Sequence, residues 1–87
     1  MSDLKSRFET AKSEVEGLSK RPSDEELLQL YSLFKQGTTG DVQGKRPGMI
    51  NFVKRAKYDA WAARKGTSTD DAMQQYIDLV QTLKGKY

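Results

Sequence analysis

Leu4, Phe8, Ala11, Val15 and Leu18 recur at steps of four and three with polar residues between them. That period places all five in one narrow stripe of a helix. Gly17 weakens its end, and Arg21-Pro22 stops it. Ser23 followed by Glu26 reads as a capping box that opens a second helix of about four turns, ending near Gln36-Gly37. A third helical pattern runs from about Asn51 to Arg64 and is ended by Lys65-Gly66. Ser68 or Thr69 caps a fourth, which Asp70 and Asp71 favour at its positive end and which continues through Ala72, Met73, Tyr76, Ile77, Val80 and Leu83. No segment alternates as a strand does. Between the second and third helices, Gly37, Gly40, Gly44, Pro47 and Gly48 mark a loop of about a dozen residues, a length typical of crossovers and binding loops.

The first and last connections are short and the middle one is long. Short links favour antiparallel neighbours, and a long crossover permits helices 2 and 3 to run the same way. The expected fold is all-α: a four-helix bundle, up-down-down-up, with residues 1–87 as a single domain. The chain has 87 residues and a mass of 9.9 kDa. Surface scaling gives roughly 5,200 Å² exposed when folded against about 14,000 Å² unfolded, enough burial for one core without staples.

Cysteine and histidine are both absent. This removes disulfide scaffolds, thiolate metal sites, His-dependent triads and the usual general base at neutral pH. No phosphate-binding glycine loop, dinucleotide fingerprint or carboxylate pair in an apolar setting is found. The chain is therefore expected not to be an enzyme, and to hold no metal and no cofactor. Mean hydropathy is −0.79, and nothing approaches the ~18 apolar residues that span a bilayer. The N-terminus shows no apolar leader core and the C-terminus no retention or prenylation signal, so a cytoplasmic location is expected.

The net charge is +3, but it is unevenly placed. Residues 45–65 hold seven Lys/Arg against Asp59 alone, a local +6, which suggests either an anionic partner or a solvated basic face. Three positions then break the helical pattern. On helix 2, Leu27, Leu28, Leu30, Tyr31, Leu33 and Phe34 spread over roughly 220°, wider than one packed stripe needs. At one edge of that arc, Tyr31 and Lys35 sit one turn apart, which suits an amphiphilic ligand or a rim lysine beside a half-buried tyrosine. On helix 3, Val53, Ala56, Ala60 and Trp61 mark an inward face, with Lys57 inside it. A lysine there meets an acid from another helix or faces a cleft that receives an anion. Tyr76 falls in the apolar arc of helix 4, where its hydroxyl bonds either a carbonyl or a ligand.

These residues lie in longer stretches that resemble the acyl-CoA-binding protein (diazepam-binding inhibitor) family. Pro22-Ser23-Asp24-Glu25-Glu26-Leu27-Leu28-Gln29-Leu30-Tyr31-Ser32-Leu33-Phe34-Lys35-Gln36-Gly37-Thr38-Thr39-Gly40-Asp41 follows its signature almost throughout. Arg46-Pro47-Gly48-Met49, Lys57-Tyr58-Asp59-Ala60-Trp61, Lys65-Gly66-Thr67-Ser68, Asp71-Ala72-Met73 and Tyr76-Ile77 resemble further blocks. The likeness covers essentially the whole chain in register. It implies an intracellular carrier of long-chain acyl-CoA esters, in which Tyr31, Lys35 and Lys57 hold the adenosine 3′-phosphate region and Tyr76 lines the nucleotide site. Leu28 and Lys12 are secondary ligand-binding candidates. Its implied partners are the esters themselves, with transient contact to a membrane or an acyl-CoA-using enzyme, no nucleic acid, and a monomer as the default state.

The sequence departs from the family pattern at five places. Glu16 and Val53 stand where lysines are frequent, Gly37 for a usual alanine, Tyr58 for a tryptophan and Leu27 for a methionine. Each lost cation weakens head-group attraction by about 0.5–1 kcal/mol if exposed. Lys12, one turn from Glu16, and Lys54, beside Val53, compensate in part. The competing readings are a basic helical module that binds nucleic acid through residues 45–65, with Tyr58 and Trp61 against it, and a protein-interaction module without a ligand.

Overall fold

The computed structural model describes residues 3–87. Three of its four helices start on side-chain caps. Asp3 accepts from the Ser6 amide at 2.7 Å and opens α1, Leu4–Glu16. Ser23 Oγ accepts from the Glu26 amide while Glu26 Oε1 accepts from the Ser23 amide, the predicted capping box of α2, Asp24–Thr38. Ser68 opens α4, Thr69–Lys86. The third, α3, spans Phe52–Ala62, and Asn51 gives it no side-chain cap. It is shorter than the Asn51–Arg64 pattern, because residues 63–66 leave the helix in turns.

Side-chain pairs fix the helix directions. Arg7 bonds Gln74 and Lys84 bonds Glu14, so α1 and α4 run parallel. Glu26 meets Lys86 and Tyr87 while Gly37 abuts Met73, so α2 and α4 run antiparallel. Lys57 lies over Tyr31 and Lys35 over Trp61, so α2 and α3 run parallel. The result is the expected up-down-down-up order. One detail differs from the short-link argument: α1 and α2, like α3 and α4, do not pack backbone to backbone. α4 lies against both α1 and α2, and α3 touches α2 alone.

The core explains that asymmetry. Phe8, Ala11, Leu30, Leu33, Tyr76, Ile77, Val80 and Leu83 form one buried cluster, all from α1, α2 and α4. A Cβ on Gly37 would lie 3.1 Å from Met73 Cγ, so the glycine lets α2 approach α4 closely. α3 buries only Trp61 and is tied down mostly by polar contacts. Trp61 Nε1 donates to the Gly40 carbonyl at 2.8 Å, Tyr58 to that of Gly44 at 3.0 Å, and Arg64 Nε to Ser32 Oγ at 3.1 Å. Arg46 grips Asp59 through two bonds of 2.7 and 2.8 Å. Gly40 and Gly44 take positive φ in this crossover, where a side chain would be strained. Val53, expected on the inward face of α3, is 68% exposed. A helix packed along one flank needs only a narrow stripe, and Ala56, Ala60 and Trp61 supply it.

Candidate ligand groove

Because α3 meets α2 alone, the flank between them stays open. A groove of about 660 Å³ runs there, within the range of ordinary ligand pockets. Leu27, Leu28, Tyr31, Val53, Ala56 and Lys57 line it, and the Arg21–Asp24 ion pair stands beside them. A second hollow of about 290 Å³ opens across α2 toward α1 and α4, lined by Lys12, Glu16, Leu27, Tyr31, Phe34 and Tyr76 among others. A third, of about 190 Å³, lies between Tyr31, Pro47, Lys54, Lys57, Tyr58 and Trp61. Tyr31 is on the wall of all three. The wide apolar arc of α2 thus serves two purposes: Leu30 and Leu33 enter the core, while Leu27, Leu28 and Tyr31 face the hollows.

The lysines around them are held by aromatic faces. Lys57 Nζ lies 5.3 Å from the Tyr31 ring centroid, Lys35 Nζ 5.0 Å from that of Trp61, and Lys12 Nζ 5.0 Å from that of Phe34. None of the ion pairs among the described residues uses them. A ring face positions a cation without cancelling its charge, so each ammonium keeps its attraction for an anion. The acid that could have met Lys57 from another helix is absent among the described residues, and Asp59 is taken by Arg46. Lys35 is the outlier: it lines none of the three hollows, and its head supports the Trp61 wall instead.

Tyr76 is 3% exposed, edge-on to Phe8 with ring centroids 5.0 Å apart. Burial, and secondarily the Glu16 carboxylate, push its hydroxyl up to about 12. It therefore stays protonated at neutral pH and can donate a hydrogen bond. Of the sequence candidates, Tyr31, Leu28 and Lys57 meet in the main groove, and Tyr31, Lys12 and Tyr76 in the second hollow.

An apolar trough that meets unneutralised ammoniums at a shared tyrosine invites comparison with known proteins. The profile of the family described as acyl CoA binding protein matches residues 5–80. The chain belongs to the acyl-CoA-binding protein family. An acyl-CoA-binding protein homolog of Drosophila melanogaster is 46% identical over 81 residues, covering 93% of this chain and 94% of the relative. The acyl-CoA-binding protein of Brassica napus is 50% identical over 80 residues, 92% of this chain and 87% of that one. Among solved structures, acyl-CoA-binding protein 2 of Oryza sativa superposes with a TM-score of 0.92 at 39% identity, over 97% of this chain and 93% of that one.

The positions expected to depart from the family pattern cluster on the hollows. Glu16 lines the second and Val53 the main groove, while Leu27 is shared by both. Tyr58 uses its hydroxyl to tie down the crossover. Arg21, in the sequence only part of a helix stop, is a groove residue that the sequence pattern does not mark. Its place beside the groove, paired with Asp24, is a tertiary feature that no local pattern encodes. Trp61 is expected on the inward face of helix 3. The indole does pack inward, but it also forms a wall of the third hollow.

Proposed function

We propose that the chain binds long-chain acyl-CoA thioesters and carries them, as a cytoplasmic monomer with no chemical step of its own. The observation that carries this reading is the junction at Tyr31 between an apolar groove and lysines that no acid among the described residues neutralises. In this reading the acyl chain lies along Leu27, Leu28 and Ala56. Lys57 and Tyr31, with Lys35 behind them, hold the 3′-phosphate region. Tyr76 and Lys12 face the nucleotide.

Magnitudes divide the labour. Burying about a dozen methylenes contributes roughly 10 kcal/mol before entropic losses. Each charge-assisted bond to phosphate adds ~1.5–3 kcal/mol. The chain supplies most of the affinity, and the phosphate contacts fix orientation and exclude other thioesters. Nucleic acid is disfavoured because Trp61 is 8% exposed with the Lys35 ammonium over its face, so the indole offers no free surface for stacking.

Isothermal titration with palmitoyl-CoA, free CoA and palmitate tests the proposal. Tight 1:1 binding of the ester is expected, with both fragments weaker by more than about a hundredfold. Lys57→Ala should lose about tenfold or more in affinity. Near-native affinity in both Lys57→Ala and Lys35→Ala would remove the phosphate-clamp assignment, and no ester binding by a folded chain would overturn the carrier reading.

A further inference from the structure

Charge stands at both ends of the main groove. Asp24, Leu27, Leu28 and Tyr31 recur at steps of three and four, so they form one stripe of α2 along its wall. Lys57 lies over Tyr31 at one end of that stripe. Arg21 pairs with Asp24 at the other. Between the ends, Leu27, Leu28, Val53 and Ala56 supply apolar surface. From Asp24 to Tyr31 the helix rises about 10 Å. A chain of tetrahedral carbons advances about 1.25 Å per bond, so about eight methylenes span that distance when extended. At about 660 Å³ the groove has room for a longer chain to curl, so the far-end contact belongs to chains that span it extended.

Two arginines near α3 and α2 use their acids differently. Arg46 grips Asp59 through both Nε and Nη2. Arg21 meets Asp24 through Nη1 alone, at 3.0 Å, and the same nitrogen reaches the Pro22 carbonyl at 3.5 Å. Its Nε and Nη2 have no partner among the described residues. A guanidinium is a planar fork of donors that matches a carboxylate two at a time. Arg21 therefore keeps the donors that a second carboxylate would use.

We propose that the groove takes acyl-CoA esters whose chain ends in a carboxylate, the thioesters of medium-chain dicarboxylic acids, with Arg21 as the specificity-determining residue that holds the terminal carboxylate. This rests on the carrier reading: the thioester lies toward Tyr31 and Lys57, and the chain runs along Leu27 and Leu28 to Arg21. A simple chain of that length leaves its methyl group beside a charged pair. A terminal carboxylate instead accepts from Nε and Nη2. Without such a partner, placing that charge against apolar walls costs affinity. Asp24 competes for the same guanidinium, and the Arg21 side chain is 69% exposed, so the contact is moderate and screened by salt.

Isothermal titration of the full chain with decanoyl-CoA and decanedioyl-CoA tests this, the readout being the ratio of the two affinities. Decanedioyl-CoA should bind at least as tightly as decanoyl-CoA, and its advantage should shrink as salt rises. Arg21→Ala should shift the ratio about fivefold toward decanoyl-CoA, and Asp24→Asn about twofold the other way. Hexanedioyl-CoA is too short to reach Arg21, and its ratio to hexanoyl-CoA should not move in Arg21→Ala. Decanedioyl-CoA binding tenfold or more weaker than decanoyl-CoA overturns the proposal, as does a ratio that Arg21→Ala leaves in place. Parallel loss of both esters in Arg21→Ala assigns the guanidinium to the part of the ligand they share and also overturns it. Palmitoyl-CoA binding with the decanedioyl ester rejected overturns this proposal alone. A folded chain that binds none of the esters overturns the carrier reading and this proposal with it.

Discussion

Lys57 rests on an aromatic face instead of a carboxylate, and that difference sets what it can do. An exposed cation–π contact contributes about 0.5–1 kcal/mol, less than the ~1.5–3 kcal/mol of a charge-assisted bond to an anion. A phosphate arriving beside Tyr31 therefore draws the ammonium away from the ring at small cost. Glu16 acts the other way. It adds a negative charge to the hollow that Lys12 and Tyr76 share, where the proposed ligand brings further negative charge. Glu16→Lys should raise acyl-CoA affinity about two- to fivefold at low ionic strength, and the gain should shrink with added salt. Titration of both forms across a salt series checks it. An unchanged affinity would separate Glu16 from the head-group site. Glu26 shows a carboxylate used purely for the fold. Bonds from Tyr87, Lys86 and the Ser23 amide lower it from its ordinary 4.5 to about 2. A depressed carboxylate stabilises the fold above its unfolded value and loses that contribution as pH falls through its folded one. Urea midpoints should therefore decline between pH 4.5 and about 2, and Tyr87→Phe should flatten that decline. Parallel acid limbs in the two proteins would show that the tyrosine bond does not hold Glu26 down.

Three helices share a core and one hangs on a single neighbour, so local stability should divide the same way. α3 buries one residue and is anchored by polar contacts of its own side chains and of Arg64 in the turn that follows it. Elements with few buried apolar contacts open first. Hydrogen exchange should find the α3 amides leaving protection well before those of α2 and α4, and Arg46→Ala should widen the gap by freeing Asp59. Equal protection in all four helices would contradict this. Much of the element scale was legible beforehand. The capping box, the serine cap of α4, the long crossover and the excess width of the α2 arc all carried into the structure. That width in fact announced two partners, α4 and α3. Val53 was misplaced because a helical wheel assumes that the apolar arc faces the interior. On a helix held along one flank, part of the arc is left for solvent or for something else. The aromatic seats of Lys12, Lys35 and Lys57 were not legible at all. Each pairs two different helices, and the spacing within one helix cannot report such a pairing.

At the scale of the whole molecule the chain is thin, 41 × 28 × 15 Å along its principal axes. Its accessible surface of 5779 Å² exceeds the roughly 5,200 Å² expected for a rounder protein of this mass. The excess follows from the open flank between α2 and α3, since an attached helix that shares no core adds surface faster than it buries it. The proposed ligand would touch both sides of that division: the acyl chain against α2 and α3, the nucleotide against α1, α2 and α4. Such a ligand links the loosely held helix to the three-helix core. Binding to the folded state alone stabilises it by about 2.7 kcal/mol when the ligand stands at a hundred times its dissociation constant. In a domain of this size that corresponds to a rise in Tm of roughly 10–20 °C. The increase in protection should be largest in α3, which has most to gain, and smaller in α4, which supplies Tyr76, Ile77, Val80 and Leu83 to the core. Calorimetry and hydrogen exchange with saturating palmitoyl-CoA measure both quantities on one sample. A rise in Tm with α3 still exchanging as fast as before would mean that the ligand sits on the three-helix side alone. In that case the groove along Leu28 and Ala56 would not be where the acyl chain lies.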